Sequence, residues 1–268
     1  MRKIAIWSLA GGVGKSTSAV NIAAAMMKLG KKVLLVDADP QCSATIASNF
    51  YMIWKRDNPP VNTFDLIKNT IWGDHVPSDE LLREAIIKSK TGQYDVITCT
   101  PLMKWYHDEW CQYYAFENLL LKALEPVKDY DFVIIDCPTG FIGISKMCLA
   151  YADELYVPVS TDFYGINAYM DLEALITNVP FAPPVTAVFL TMMNRSTLSR
   201  NVVSVSSQEL SNVLLNSKIR YSEALRVAPE YAQDVISWNS KSYGAIDYLA
   251  LADEINKLKF ALKRRMRT

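Results

Sequence analysis

The sequence predicts an α/β fold: a mostly parallel sheet of P-loop type with helices on both faces. Three observations predict it. A glycine-rich loop, Leu9 to Thr17, lies between the apolar run Ile4 to Trp7 and a helical pattern at Val20, Ile22, Ala23, Met26 and Met27, which gives strand, loop and helix in that order. Two short apolar runs, Val33 to Val36 and Phe132 to Ile135, each end in a carboxylate, Asp37 and Asp136, and read as strands buried on both sides. Further strand candidates alternate with helical stretches, as crossover connections between parallel strands require.

The chain has 268 residues, half of them hydrophobic, enough to bury a core as one domain spanning residues 1–268. Lys plus Arg and Asp plus Glu stand at 28 each, so the molecule as a whole is not built as a polyanion binder. Residues 195–268 nevertheless hold 12 basic residues against 7 acidic ones, which makes this quarter a candidate anion-binding face. The five cysteines, at 42, 99, 111, 137 and 148, form no Cys-x-x-Cys pair and read as small core residues in a reducing cytosol. Met1-Arg2-Lys3 and the apolar run after it imitate a signal peptide, but the glycine loop follows at once. No stretch approaches the ~20 apolar residues of a membrane span, and a cytoplasmic location is expected.

The first strand and helix frame the loop Leu9-Ala10-Gly11-Gly12-Val13-Gly14-Lys15-Ser16-Thr17. Glycines let successive backbone N–H groups converge on one anion, and the helix that starts there adds its positive dipole end. In a general P-loop, Gly11, Gly12, Val13 and Gly14 form the cradle. Lys15 reaches the β- and γ-phosphates, Ser16 binds Mg²⁺, and Thr17 hydrogen-bonds the α-phosphate. ATP and Mg²⁺ are therefore the expected ligands.

The same stretch resembles the deviant Walker A box of the ParA/MinD family of ATPases, Lys-Gly-Gly-x-x-Gly-Lys-Ser/Thr, with one departure. The family's signature lysine, which crosses a dimer interface to the partner's nucleotide, falls at Ala10. That loss is shared with the carboxysome-positioning group of the family.

Next, Leu29-Gly30-Lys31-Lys32 supplies a glycine C-cap and closing positive charges before the strand Val33 to Val36. The strand opens into Asp37-Ala38-Asp39-Pro40-Gln41, two carboxylates at a strand's C-terminal edge, where open α/β sheets bind ligands. The resemblance makes this the Walker A′ box. It implies that Asp39 positions or deprotonates the attacking water and that Asp37 supports the Mg²⁺ shell. Asn58-Pro59-Pro60 marks a loop, Thr63 to Ile67 opens a short helix, Leu81 to Ile87 is amphipathic, and Tyr94 to Cys99 is a third strand candidate. The aromatic stretch Lys104 to Phe116 reads equally as a partner surface or as a helix packing its rings inward. His75 and His107 are too far apart in sequence to suggest a metal pair.

Asp131 to Asp136 has the form of a Walker B strand, with Asp136 holding Mg²⁺ through water. Cys137-Pro138-Thr139-Gly140 matches the family's switch II position, with Thr139 and Gly140 replacing its second proline and serine. Glu154 to Val159 and Val185 to Thr191 are further strands. The resemblance places an adenine contact at Asn194, just after the second of these, and it extends to the segments Lys218 to Ala224 and Lys241 to Leu249. The last helix carries Leu251, Ile255, Leu258 and Leu262 as a core stripe. It ends in Lys263-Arg264-Arg265-Met266-Arg267, a tail that can hold DNA or lipid phosphates or can simply be solvated.

The resemblance implies a weak, partner-stimulated ATPase that forms a homodimer with ATP and coats nucleoid DNA without sequence preference. A cargo-borne adaptor, for a carboxysome or a plasmid, would stimulate hydrolysis. The candidate DNA contacts are Arg195, Arg200, Arg220 and the tail. With Ala10 unable to serve the partner's nucleotide, Lys146, just past switch II, is the candidate replacement; a solvated helix residue is the alternative. A MinD-like membrane-surface ATPase is the second reading, and an iron–sulfur reductase subunit or ligase-like synthetase of the same superfamily is the third. Cys137 alone stands near a place suited to the iron–sulfur version.

Overall fold

The computed structural model describes residues 1–50, 60–73 and 76–258. Eight strands form one sheet: β1 (Arg2–Ile6), β2 (Val33–Asp37), β3 (Ile87–Lys88), β4 (Asp95–Ile97), β5 (Phe132–Asp136), β6 (Glu154–Ser160), β7 (Val185–Met193) and β8 (Leu214–Arg220). Their order is β3-β4-β2-β5-β1-β6-β7-β8, and every neighbouring pair is parallel except β3–β4. The central strands β2 and β5 are buried along their whole length, which is why they read as unbroken apolar runs. Register sets Asp37 and Ile6 on either side of Asp136, so the strand ends that carry the chemistry finish level with one another.

Helices cover both faces. On one side the helix Lys15–Lys28 buries Ala19, Ile22, Ala23 and Met26 in a core shared with Tyr248, Leu251 and Ile255 of the helix Tyr243–Lys257. On the other, Thr63–Trp72, Leu119–Ala123, Gly143–Tyr151 and Phe163–Thr177 pack over Leu34, Val36, Ile135 and Val157. Among the described residues, no helix is long and apolar enough to cross a membrane.

Three differences from expectation have physical causes. Edge strand β8 interrupts its apolar residues with Asn216, Ser217 and Lys218, so no strand pattern stands out; the Glu254 carboxylate ties it down by accepting from the backbone of Asn216 and Ser217, both at 2.8 Å. Edge strand β3 has two residues and no pattern to read. The last helix ends at Lys257, so Leu258 lies beyond it, while Leu262 and Lys263 to Arg267 fall outside the described residues, as do Asn58, Pro59 and His75. The aromatic stretch does both things open to it: Trp110 is fully buried and stacks on Phe64 at 5.5 Å, whereas Trp105 and Tyr114 face solvent.

Candidate nucleotide site

The loop between β1 and the helix Lys15–Lys28 turns through Gly12 (φ +74°) and Gly14 (φ +90°), left-handed conformations that favour glycine. Gly14 caps the helix without a side-chain bond, which leaves the first backbone N–H groups free for an anion. Thr191 at the end of β7 donates its hydroxyl to the Val13 carbonyl (2.9 Å) and so fixes the loop from the side. Ser16 and Thr17 are half-buried at the start of the helix.

The Lys15 ammonium is buried within this curl. It donates to the Ala10 carbonyl (3.0 Å) and to the Thr139 hydroxyl (2.7 Å). Burial pushes its pKa down, against the pull of Asp136 and Asp39. The Ala10 position thus supplies a backbone acceptor to Lys15, which any residue there would also supply.

Asp37 and Asp136 are neighbours across β2 and β5, both fully buried. The Asp37 carboxylate accepts from Asp39 N (3.0 Å), Thr45 N (2.7 Å) and the Thr45 hydroxyl (2.6 Å). Burial lifts its pKa to about 7 in spite of those bonds, and the Asp39 charge adds to the rise. Asp37 therefore braces the following loop, and the Mg²⁺-shell role expected of it would share its oxygens with these three donors. Asp39 is buried and accepts from Gln41 N (2.9 Å), which shapes the turn that presents it.

Asp136 is different: both its oxygens are buried, and neither has a hydrogen-bond partner among the described residues. Burial and then the Asp37 charge raise its pKa; Ser16 approaches closely enough to favour the ionised form without making a well-formed bond. A buried carboxylate without partners is costly unless a cation reaches it. Beside the Ser16 hydroxyl, the donor set fits Mg²⁺, a hard cation that takes oxygen ligands and keeps several waters. Among the described residues, no three His, Cys, Asp or Glu side chains form a metal cage of their own.

A cavity of about 240 Å³ continues from Gly14 and Thr17 between β7 and β8, lined by Met192, Tyr221, Leu225 and Tyr248. Its position, apolar wall and size suit a nucleoside beside phosphates held by the loop. Asn194 is not part of this lining. It is exposed, and its side-chain carbonyl accepts from Ser196 N (2.9 Å) in the turn after β7. Met192, held at φ +56°, borders the cavity instead.

The other candidates separate. Lys146, half-buried on the helix Gly143–Tyr151, holds its ammonium over the rings of Phe141 (4.9 Å) and Phe116 (5.9 Å). The Arg220 guanidinium donates to both oxygens of Asp247 (2.6 Å to Oδ1, 3.0 Å to Oδ2) and lies 4.1 Å over the Tyr243 ring, so its charge is engaged within the molecule and it is a poor candidate for DNA. Arg195 and Arg200 are exposed.

The Thr45 brace and the wall residue Leu225 had no motif to announce them, and the Thr139 contact and Tyr221 had only their places in stretches that resemble the family. For Thr139 that place carries a signal, a hydroxyl where the resembled family has proline.

The family model for the AAA domain matches residues 1–182. The sporulation initiation inhibitor protein Soj of Bacillus subtilis is 30% identical over 262 residues, covering 94% of this chain and 97% of Soj. The chain belongs to the ParA/MinD family of ATPases. Two solved structures share the fold: McdA of Cyanothece in a complex with ATP, at TM-score 0.78, 18% identity and coverage of 97% and 98%, and the cell division ATPase MinD of Pyrococcus furiosus, at TM-score 0.75, 20% identity and coverage of 96% and 99%. The ends of β1, β2 and β5 finish level with one another, and Lys15, Asp39 and Asp136 come together there.

Proposed function

We propose that the protein is a ParA-type ATPase that dimerises with ATP, binds DNA without sequence preference and positions or partitions a cargo, a carboxysome or a plasmid, through an adaptor that stimulates a weak basal hydrolysis. One observation carries the proposal: a buried lysine, a buried carboxylate without partners among the described residues and a second carboxylate on a shaped turn meet beside an uncapped helix start. Lys15, Gly11, Gly12, Val13 and Gly14 bind the phosphates, and Thr17 with the cavity at Met192 and Tyr221 holds the nucleoside end. Asp39 orients the attacking water, and Ser16 with Asp136 would hold Mg²⁺, Asp37 behind them. A bound Mg²⁺ neutralises charge that develops on the phosphates. Such chemistry depends on positioning, so Asp39→Ala should bind ATP and fail to turn it over. An Asp39→Ala variant hydrolysing at the wild-type rate refutes the assignment.

The missing signature lysine leaves a cross-subunit cation to be supplied. Lys146 is the proposed source, since it is the sole Lys or Arg between Lys128 and Arg195 and sits beside switch II. Lys146→Ala should lose ATP-dependent dimerisation while keeping nucleotide binding; equal dimerisation refutes the role. DNA binding through Arg195, Arg200 and the tail Lys263 to Arg267 should fall steeply with salt. ATP-driven binding to anionic liposomes and not to DNA would replace this function by the membrane-surface one.

A further inference from the structure

The aromatic stretch after β4 borders a groove that the nucleotide site does not use. It lies past the C-terminal end of β4, one strand over from Asp37, and its volume is about 460 Å³. Pro60, Phe64, Pro101, Leu102 and Trp105 make its apolar wall. Trp105 is 77% exposed and Leu102 52%, so among the described residues nothing covers two of the side chains that gain most from burial. The wall is already formed. Tyr106 and Trp110 hold the Phe64 ring, with centroids at 5.1 and 5.5 Å, and Asn62 and Asp65 lock the start of the helix Thr63–Trp72 in a capping box. Thr100 O and Pro101 O accept from Met103 N and Lys104 N, which fixes the turn that raises Trp105. A preformed wall of this kind loses little freedom when a partner arrives.

What the groove offers decides what fits it. β4 pairs with β2 on one side and β3 on the other, so it has no open edge for an added strand. The Thr98 carbonyl in the floor already accepts from Thr63 N (2.9 Å). Contacts therefore fall to rings and side chains, and a tryptophan-walled groove is the surface on which an extended, polyproline-type segment packs. Asp65 is the sole charged residue of the lining. Its Oδ2 serves Asn62, and its Oδ1 has no partner among the described residues; Lys68 on the next turn lies over the Trp72 ring instead, at 5.8 Å. A basic side chain on the incoming segment would complete that carboxylate. The groove also reaches the reaction. Cys99 in its floor donates its N–H to Thr45 Oγ1 (2.9 Å), Thr45 donates to Asp37 Oδ2 (2.6 Å), and Asp37 Oδ1 accepts from Asp39 N (3.0 Å). A segment seated against Cys99 and Phe64 thus bears on the turn that presents Asp39.

We propose that this groove is the docking site of the adaptor that stimulates hydrolysis, and that the adaptor enters it as an extended, proline-containing segment whose prolines pack on Trp105 and whose basic side chain pairs with Asp65. The proposal rests on the ATPase function above and deepens it by stating where, and by what chemistry, the adaptor binds.

The probe is a fluorescently labelled peptide of Pro-Pro-Leu repeats carrying one arginine, titrated by anisotropy onto the full-length protein with Mg²⁺ and a non-hydrolysable imido analogue of ATP. The expected result is saturable binding to wild type, weakened about tenfold or more by Trp105→Ala and unchanged by Tyr114→Ala, a fully exposed aromatic outside the groove. Asp65→Asn should weaken the arginine peptide and leave a glutamine-substituted peptide unaffected. With ATP, saturating peptide should raise the turnover of wild type and leave Trp105→Ala at its basal rate. Trp105 lies on the surface, so the basal turnover and nucleotide affinity of Trp105→Ala stay at wild type and report a folded protein. No binding by wild type, equal binding by Trp105→Ala, or binding that leaves a measurable basal turnover unchanged overturns the proposal. A Trp105→Ala protein that loses ATP-dependent dimerisation and keeps its peptide affinity gives the groove to a second copy, which overturns it too. Wild type that binds the peptide through Trp105 and hydrolyses no ATP overturns the ATPase function and supports the groove, a separate outcome.

Discussion

Replacing Thr45 by valine tests whether the loop that carries Asp39 hangs on Asp37. Thr45 is fully buried, and its hydroxyl does two jobs, donating to Asp37 Oδ2 at 2.6 Å and accepting from Cys99 N at 2.9 Å. Valine matches its shape and removes both. The lost bond to a carboxyl group costs about 2 kcal/mol, and leaving the Cys99 N–H buried without an acceptor adds about 1 kcal/mol or more, so the expected loss is about 3 kcal/mol. That is a large part of a total stability of about 5–15 kcal/mol, and in a domain of this size it lowers Tm by roughly 6–12 °C. Thr45→Ser keeps both bonds and should lose about 1 kcal/mol, for one buried methyl group. Urea unfolding of the three proteins at neutral pH measures the difference. The function should follow: Asp39 N donates to Asp37 Oδ1, so a loosened Asp37 lowers ATP turnover more than ATP binding. A Thr45→Val protein as stable as Thr45→Ser refutes the brace.

Gly165→Ala should destabilise by about 2 kcal/mol or more in thermal unfolding, because its Cβ would lie 2.3 Å from the Ser160 carbonyl oxygen, a backbone atom with little room to yield. Arg220→Ala should cost about 1–2 kcal/mol by leaving the nearly buried Asp247 unpaired, and should leave DNA affinity unchanged; a variant with wild-type stability but weakened DNA binding would return Arg220 to the DNA face. Burial opposes the Glu254 carboxylate, but bonds from Ser217 and Asn216 outweigh it and hold its pKa below 4.5. Its contribution is therefore present above pH 4.5 and lost as pH falls through the lower folded-state value. Glu254→Gln should flatten that part of the acid limb, measured as urea midpoints from pH 6 down to pH 3.

The central strands and the phosphate loop were legible because their physics is local. β2 and β5 are buried on both sides, so every position must be apolar until the carboxylate at the end, and Gly12 and Gly14 stand where the backbone needs positive φ. The sheet edges were not, since β8 has to satisfy one neighbour only and tolerates Asn216 and Lys218 on its open side. Within the site, the sequence names Lys15 and Asp136 by spacing, but Thr45 and Cys99 meet across 54 residues and leave no periodic trace. Asn194 shows the converse: the loop stands where the resemblance put it, and its side chain is engaged in the local turn.

The cations of the site face a shared constraint. Lys15 is committed to the phosphate loop, Arg220 to Asp247, and Arg226, at the rim of the nucleoside cavity, to Glu223 and Glu230. Among the described residues no carboxylate holds Lys146; its seat is two aromatic faces, each worth about 0.5–1 kcal/mol to an ammonium. A charge seated that lightly leaves for an anion at small cost, and a phosphate in a closed, water-poor interface offers a bond about twice as strong as a neutral one. Phe141 also packs toward Trp7, 6.1 Å between ring centroids, and Trp7 holds the Gly140 carbonyl, so the ring seat is part of switch II itself. Any movement of switch II toward a γ-phosphate therefore disturbs the face on which Lys146 rests. If Lys146 serves the partner's nucleotide as proposed above, this seat would couple release of the cation to arrival of the triphosphate, whereas a lysine at position 10 would present its charge at all times.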